Sequence, residues 1–250
     1  MKNMTKKVII TILIILSIIL LVVLVKYVIN KQVENRTLET LKMKKTDIEN
    51  RSGVFIDPRD NKEYKTIQIG DQTWFAENLG YMPFLSSPNK KYKEIKVKGY
   101  DGDNVAKAKQ TANYQALGCM YNYKMAETAC PEGWHLPSKE EWDNLVETNL
   151  PMELFIEDTT RFEIEYWGLK KNYLNINKTG FSAIPSGFYS NIEDRNTSWW
   201  TSTYSGVSGG FEPCHHAIKI SYKPSNNFYS IRYFDCGFAS SEILVRCVKD

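Results

Sequence analysis

The chain has 250 residues, of which 42% are hydrophobic and 24% are charged. These proportions are ordinary for a globular protein and exclude a chain that is disordered over most of its length. The net charge of +3 is unevenly distributed, because ten basic and four acidic residues precede Gly53 and leave 22 Lys and Arg against 25 Asp and Glu after it. The slightly acidic main body argues against a nucleic-acid-binding protein.

An apolar run from Val8 to Val25 is interrupted only by Thr11 and Ser17. As a helix it would be about 27 Å long, close to the thickness of the hydrocarbon core of a bilayer. We predict a transmembrane anchor over residues 8–25, with residues 1–7 as a cytoplasmic tail. A cleaved signal peptide is the alternative, but the run is longer than a usual signal sequence and no small-residue cleavage pattern follows it.

Residues 26–52 are polar and are predicted to form a stalk. Their apolar residues are too irregularly spaced for a heptad pattern. Their basic residues alone would favour a cytoplasmic C-terminus under the positive-inside rule, yet long domains are exported largely regardless of charge. We therefore expect a single-pass membrane protein whose domain, residues 53–250, lies outside the cytoplasm, at the cell surface or in the periplasm.

The segment Cys130 to Leu145, CPEGWHLPSKEEWDNL, predicts a short strand followed by a helix. Ser138 and Glu141 have the spacing of a capping box, so the helix should begin at Lys139. His135 is predicted to be a hydrogen-bonded structural residue, since no nucleophile accompanies it in a recognisable motif. The apolar residues at core spacing are Trp134, Leu136, Trp142, Leu145 and Val146.

The remaining pattern is mostly of short strands. Two apolar segments, 54–56 and 64–69, flank a turn-forming cluster and predict a hairpin, and 72–79 predicts a third strand. A second helical piece is predicted at 152–157, and an aromatic segment covers 162–174. Five further strands are predicted at 181–184, 199–203, 217–222, 228–233 and 243–248. The sequence thus predicts an α+β fold with mostly antiparallel pairing.

Five motifs follow one another in a recognisable order. They are DPRDNKEYKTIQIGDQTWFAENL from Asp57, CPEGWHLPSKEEWDNL from Cys130, GFSAIPSGFY from Gly180, SWWTST from Ser198 and ILVRCVKD from Ile243. Together they resemble the Fibrobacter succinogenes major paralogous domain, a module of exported bacterial proteins. The resemblance covers residues 53–250. It implies a C-type-lectin-like fold related to formylglycine-generating enzymes and to the variable proteins of diversity-generating retroelements, and it implies no common reaction.

This sequence departs from the family pattern in an insertion, residues 85–115, which is rich in lysine and contains Asp101-Gly102-Asp103-Asn104. The resemblance also implies two disulfides, Cys130 with Cys247 and Cys214 with Cys236, which leaves Cys119 as a buried thiol or an intermolecular link. The alternative is that all five cysteines are reduced core residues.

No cofactor is predicted. His215 and His216 follow Cys214, but neighbouring strand residues point to opposite faces, so we expect exposed histidines at a strand edge instead of a metal site. Structural calcium at Asp101–Asn104, or at Asp57 with Asp60, is not supported, because such clusters commonly form turns. Lectin-like domains that bind sugars through calcium carry a Glu-Pro-Asn type triplet, whereas here Cys214 follows Glu212-Pro213.

Catalysis is not predicted. The formylglycine reaction needs two cysteines about five positions apart, and Ile231 stands five positions before Cys236. Paired carboxylates such as Glu140-Glu141 could in principle act as the acid and base of a glycan-acting enzyme, but they have the character of a helix cap. A glycan-acting enzyme is therefore kept only as an alternative.

We expect a binding module that takes a glycan or protein ligand, with no nucleic acid and no particular oligomeric state indicated. A retroelement-diversified binding protein is a further alternative. The ligand is expected on loops between Ser186 and Asn227, because aromatic area beside amide groups suits recognition. The residues predicted to contact it are Tyr189, Asn191, Trp200, Tyr204, Phe211, Asn226 and Asn227. Trp199 and Trp200 are adjacent, so on a strand only one of them can point into the core, and the other must be covered by a loop or exposed.

Overall fold

The computed structural model describes residues 2–147, 179–184, 186, 195–208, 212–223, 228–238 and 241–250. Contacts divide the chain into two compact units, residues 1–47 and 48–250. The helices are α1 Lys2–Arg51, α2 Val105–Lys109, α3 Ala112–Leu117, α4 Tyr123–Ala126 and α5 Lys139–Glu147. The predicted helical piece at 152–157 and the aromatic segment at 162–174 lie outside the described residues.

The strands are β1 Ser52–Ile56, β2 Glu63–Ile69, β3 Gln72–Phe75, β4 Ile95–Lys96, β5 Met120–Tyr121, β6 Trp134–His135, β7 Arg195–Ser208, β8 Glu212–Lys223, β9 Phe228–Phe238, β10 Ile243–Leu244 and β11 Val248–Lys249. They form a first sheet in the order β1-β2-β3-β11-β6 and a second in the order β4-β5-β10-β7-β8-β9. Among the described strands, only β10 and β7 pair in parallel. The fold is therefore mixed α+β with mostly short antiparallel strands.

Helix α1 contains both the predicted anchor and the predicted stalk. Its apolar run is long and apolar enough to cross a membrane, and it is the one described helix that meets this criterion of length and composition. The polar stalk continues the same helix to Arg51, and the compact unit that follows begins at Ile48. An apolar helix near the N-terminus that could act as an anchor is thus present.

The predicted hairpin and helix start are confirmed. Phe55 of β1 lies opposite Tyr64 of β2, and β3 continues the sheet on the other side of β2. Helix α5 begins at Lys139 behind a capping box, in which the Ser138 amide donates to Glu141 Oε2 at 2.8 Å and the Glu141 amide donates to Ser138 Oγ at 3.2 Å. Trp142 and Leu145 are buried, as their spacing predicts.

Three strands in the second half are longer than predicted, whereas the described residues 181–184 form no named strand and the prediction there is wrong. The segments expected at 199–203, 217–222 and 228–233 lie inside β7, β8 and β9, which form a three-stranded meander of up to 14 residues per strand. The pairing shifts near Tyr204 and between His215 and Ala217. The alternation of apolar residues underestimates the lengths of these strands, because their pairing is irregular at polar and glycine positions.

The last segment joins the two sheets. The single strand predicted at 243–248 divides into β10 of the second sheet and β11 of the first, because the chain crosses between the sheets at Val245–Cys247. Arg246 lies at this crossing and is fully buried. Its guanidinium contacts the backbone carbonyl oxygens of Phe75, Phe181 and Ser182. One side chain therefore connects the first sheet with the segment that precedes β7.

Candidate ligand pocket

A pocket of about 300 Å³ opens in the lysine-rich insertion. Its floor is apolar, with Leu85, Ile95, Val97 and Met120, and β4 pairs with β5 beneath it. The volume is at the lower end of the range for small-molecule sites, which commonly combine an apolar lining with a few polar groups. The insertion, whose conformation the sequence did not predict, therefore forms a concave site. The other lining residues are Ser86, Lys93, Lys96, Lys98, Gly99, Tyr100, Asp101, Gly102 and Ser186.

Three lysines line this pocket, and two of them contact uncharged oxygens. Lys93 Nζ donates to the carbonyl oxygens of Ser87 and Pro88 at 2.6 and 2.7 Å, and Lys98 Nζ donates to the carbonyl oxygen of Ser186. Lys96 is paired with Glu242 at 2.9 Å. Burial lowers the pKa of Lys98. The pocket consequently carries more positive charge than its described carboxylates balance.

The rim of the pocket is a tight turn. The Tyr100 amide donates to the Val97 carbonyl at 3.1 Å, and Gly99 has φ of 69°, a left-handed conformation that favours glycine. A side chain at Gly102 would lie 2.5 Å from the Tyr100 hydroxyl, so only glycine lets the ring occupy this position. Asn104 follows as the N-cap of α2 and accepts from the Lys107 amide at 3.0 Å. The turn thus lies at Lys98–Gly99, before the cluster Asp101–Asn104, and the cluster supplies the helix cap.

Ser186 is the pocket residue contributed by the GFSAIPSGFY motif. It is buried, and its hydroxyl has no hydrogen-bond partner among the described residues. Buried hydroxyl groups are normally hydrogen-bonded, because an unsatisfied one costs free energy.

The recognition residues predicted from sequence are only partly within the described chain. Tyr189, Asn191, Phe211, Asn226 and Asn227 lie outside the described residues. Tyr204 is on β7 and is 54% exposed, which leaves it available for contact.

The prediction for Trp200 is wrong. This side chain is fully buried, and its Nε1 donates to the Tyr121 carbonyl oxygen at 2.8 Å. Trp199 on the opposite face is also fully buried, because both faces of the second sheet are covered at this point. Trp200 packs in one core cluster and Trp199 in the other, so the expectation that only one of the two indoles would point into the core is corrected.

His215 and His216 do not lie at a strand edge. They are on β8, between β7 and β9, and are half-buried. His215 stacks on Tyr123 with ring centroids 3.2 Å apart, and His216 contacts Tyr233 edge-on at 6.2 Å. The two rings thus have different neighbours, in agreement with opposite faces of a strand. Burial lowers the pKa of His215, and Glu127 opposes this shift.

His135 is held by two carboxylates. Its Nδ1 lies 2.6 Å from Asp250 Oδ1 and its Nε2 lies 2.8 Å from Glu141 Oε1, so it connects the helix cap to the end of β11. Burial lowers its pKa, but the hydrogen bonds with Asp250 and Glu141 outweigh this effect, and the pKa is raised. The prediction of a hydrogen-bonded structural histidine is confirmed. The His135 side chain is 41% exposed, so solvent can reach it.

Cys130 and Cys247 form a disulfide, as the resemblance implies. It joins the segment that precedes α5 to the segment that crosses between the two sheets. Cys214 is also disulfide-bonded, and the side chain of Cys236 lies outside the described part. Cys119 is a buried free thiol, and burial raises its pKa to about 12. A thiol in this state is a poor nucleophile.

Metal-ligating side chains do not cluster in the described residues. Asp57 is buried and its carboxylate is bound by Arg59, with Nη2 2.7 Å from Oδ2. Asp60 pairs with Lys109 at 3.2 Å. These two carboxylates therefore stabilise the β1–β2 turn.

The model of one protein family, the Fibrobacter succinogenes major domain, matches residues 67–249. The chain belongs to this family. No curated protein and no solved structure gives a match. The matched region of this Fibrobacter succinogenes major domain contains all of the lining of the pocket and both ends of the Cys130–Cys247 disulfide.

The pocket is the feature that sequence reasoning missed. Lys96 and Lys98 are two positions apart, as side chains on one face of an extended chain are, and this spacing is a signal that could have indicated a cationic face. The pocket itself could not have been inferred, because Met120 and Ser186, which line it together with the insertion, come from other parts of the chain.

Proposed function

We propose that this chain is a membrane-anchored binding module with a lectin-like domain outside the cytoplasm, and that the lysine pocket holds a small anionic ligand. The observation that carries the proposal is the pocket itself, which is lined by three lysines and by the apolar side chains of Leu85, Ile95, Val97 and Met120. A carboxylate or phosphate would offer them charge-assisted hydrogen bonds, which are shorter and stronger than those to carbonyl oxygens.

The other polar side chains of the lining support the same proposal, since Ser86, Tyr100 and Asp101 line the pocket together with the lysines. A ligand that bears both a negative charge and hydroxyl groups would suit this combination. Acidic saccharides have this chemistry.

The lectin-like assignment is supported by the α+β architecture of short antiparallel strands and by the family to which the chain belongs. The apolar part of α1 and the disulfides support an anchored domain in an oxidising compartment. A glycan-acting enzyme is the alternative that the following experiment separates, and a retroelement-diversified binding protein is a further alternative.

The experiment is a binding screen with the full chain in detergent micelles. Acidic saccharides and their neutral counterparts are immobilised in matched pairs, and free saccharide is assayed for turnover. We expect the acidic members alone to bind, with no product formed, and Lys98→Met to reduce binding while the exposed Lys65→Met on β2 does not. Product formation would favour an enzyme, and equal binding of the neutral members would contradict the proposed site.

A further inference from the structure

Strand β1 is an edge strand of the first sheet. Among the described strands it pairs with β2 alone, in a regular register from Ser52 opposite Ile67 to Ile56 opposite Glu63. Edge strands are usually protected against pairing with another chain by a lysine, a proline or a bulge. The segment SGVFI has none of these, since its first proline is Pro58 and its register is unbroken.

The outer backbone groups of β1 pair with no other strand among the residues that the structure describes. The Asp57 amide donates to the Lys62 carbonyl at 2.9 Å, so the backbone groups of Asp57 are directed at β2. Because alternate residues of a strand point their N–H and C=O groups to opposite sides, Gly53 and Phe55 face β2. Val54 and Ile56 therefore direct their backbone groups away from the sheet.

The side chains along the same edge are apolar and exposed. Val54 is 60% exposed and Ile56 is 59% exposed, and both lie on the face opposite that of Phe55. Phe55 packs against Phe75 and Trp134, with ring centroids 5.8 and 5.4 Å away. The strand is thus held firmly on one face and left uncovered on the other.

We propose that β1 pairs antiparallel with β1 of a second copy of this chain, with the two-fold axis at Phe55. In this register Val54 lies opposite Ile56 of the second copy, and the free backbone groups of each meet in a hydrogen-bonded pair. An open edge with matched backbone groups is the geometry of strand addition.

Charge favours this register over its neighbour. Lys65 lies opposite Val54 on β2, and Glu63 lies opposite Ile56, and both are exposed. With the axis at Phe55, the residues that lie side by side across the four strands are Lys65 and Val54 of one copy, followed by Ile56 and Glu63 of the other. Each such row therefore begins with a lysine and ends with a glutamate. With the axis at Val54, the central row would instead begin and end with lysine. A second copy with its axis at Phe55 therefore places a glutamate, and not a second lysine, at the far end of each row.

The test is cysteine cross-linking of the full chain in membranes. Val54→Cys and Ile56→Cys are carried on two differently tagged, co-expressed chains and oxidised with copper phenanthroline. Residues directly opposite in a hydrogen-bonded pair have Cα atoms about 5.5 Å apart, within disulfide reach, whereas diagonal neighbours about 7–8 Å apart are not. Tyr92→Cys, which is also exposed, reports random collisions.

We expect a cross-linked product that carries both tags when the two variants are mixed, several-fold stronger than that of either variant alone or of Tyr92→Cys. A stronger product from Val54→Cys alone would place the axis at Val54 and overturn the register. The absence of any product above the Tyr92→Cys level would overturn the pairing itself. The wild-type chain under the same oxidant shows what the native cysteines contribute.

Discussion

Asn78 and Arg246 are joined in the core: the Asn78 side-chain oxygen accepts from Nε and Nη2 of Arg246 at 3.3 and 3.2 Å. The same oxygen accepts from Trp199 Nε1 at 2.8 Å. Asn78, Trp199 and Arg246 belong to three of the five sequence motifs, and the guanidinium also contacts the carbonyl of Phe181 in a fourth. A single buried cation thus holds distant segments together.

The first prediction follows from this network. Arg246→Met should lower the free energy of unfolding by about 3 kcal/mol or more, because buried carbonyl and amide oxygens lose their donors. Arg246→Lys should recover little, since an ammonium group cannot reproduce the planar fork of the guanidinium. Urea unfolding followed by tryptophan fluorescence measures both, with the exposed Lys249→Met as control. Equal midpoints for Arg246→Met and the wild type would show that the network does not stabilise the fold.

The second prediction concerns the Cys130–Cys247 disulfide. It closes a sequence separation of 117 residues, so its loss should cost about 3–5 kcal/mol in the chain-entropy estimate. The double variant Cys130→Ala/Cys247→Ala should unfold at lower urea than the wild type, and Cys119→Ala serves as the cysteine control. Peptide mapping under non-reducing conditions checks the pairing, and a peptide linking Cys130 to any other cysteine would contradict it.

The third prediction is a pH dependence from His135. Its pKa is raised in the folded protein, so the stability that its carboxylate partners provide is fully present below the unfolded value of 6.5 and is lost as pH rises through the folded pKa. The melting temperature of the wild type should therefore fall relative to that of His135→Gln as pH rises from about 6 to about 9. His216→Gln is the matched control. Parallel pH curves for the wild type and His135→Gln would disprove this role.

The fourth prediction concerns topology. With the apolar run of α1 retained as an anchor, protease added to spheroplasts should digest residues 53–250 and leave an N-terminal tag inside the cell. The mechanism is that the domain is exported while the short basic tail remains in the cytoplasm. Protection of the domain in intact spheroplasts, with digestion only after lysis, would reverse this orientation.

Local structure was well predicted because its causes are local. The capping box at Ser138 and Glu141 and the turn between β1 and β2 need only nearby residues, and the structure has both. Arg246 could not be assigned as a core residue, because an arginine is buried only where distant carbonyls such as that of Phe181 converge on it. The same limit applies to Trp200, whose burial depends on contacts such as that with Tyr121.

Site prediction failed for a related reason. The composition of the loops between Ser186 and Asn227 suited recognition, but the concave surface in the described chain formed from the insertion instead. A pocket depends on which elements surround a space, and β5, Ser186 and the lysine segment meet only in three dimensions. Exposed Tyr204 remains the one described residue of the predicted set that a ligand could contact.

The central claim is that the lysine pocket binds an anionic ligand, and one calorimetric titration tests it most directly. Glucuronate and glucose, which differ mainly by a carboxylate, are titrated into the full chain at neutral pH. We predict that glucuronate alone binds, and that Lys98→Met weakens its affinity about tenfold or more, as loss of a charge-assisted hydrogen bond of about 1.5–3 kcal/mol requires. Because burial lowers the pKa of Lys98, wild-type binding should also weaken as alkaline pH removes this charge. Equal affinity of the two sugars, or unchanged affinity in Lys98→Met with Lys65→Met as control, would contradict the account.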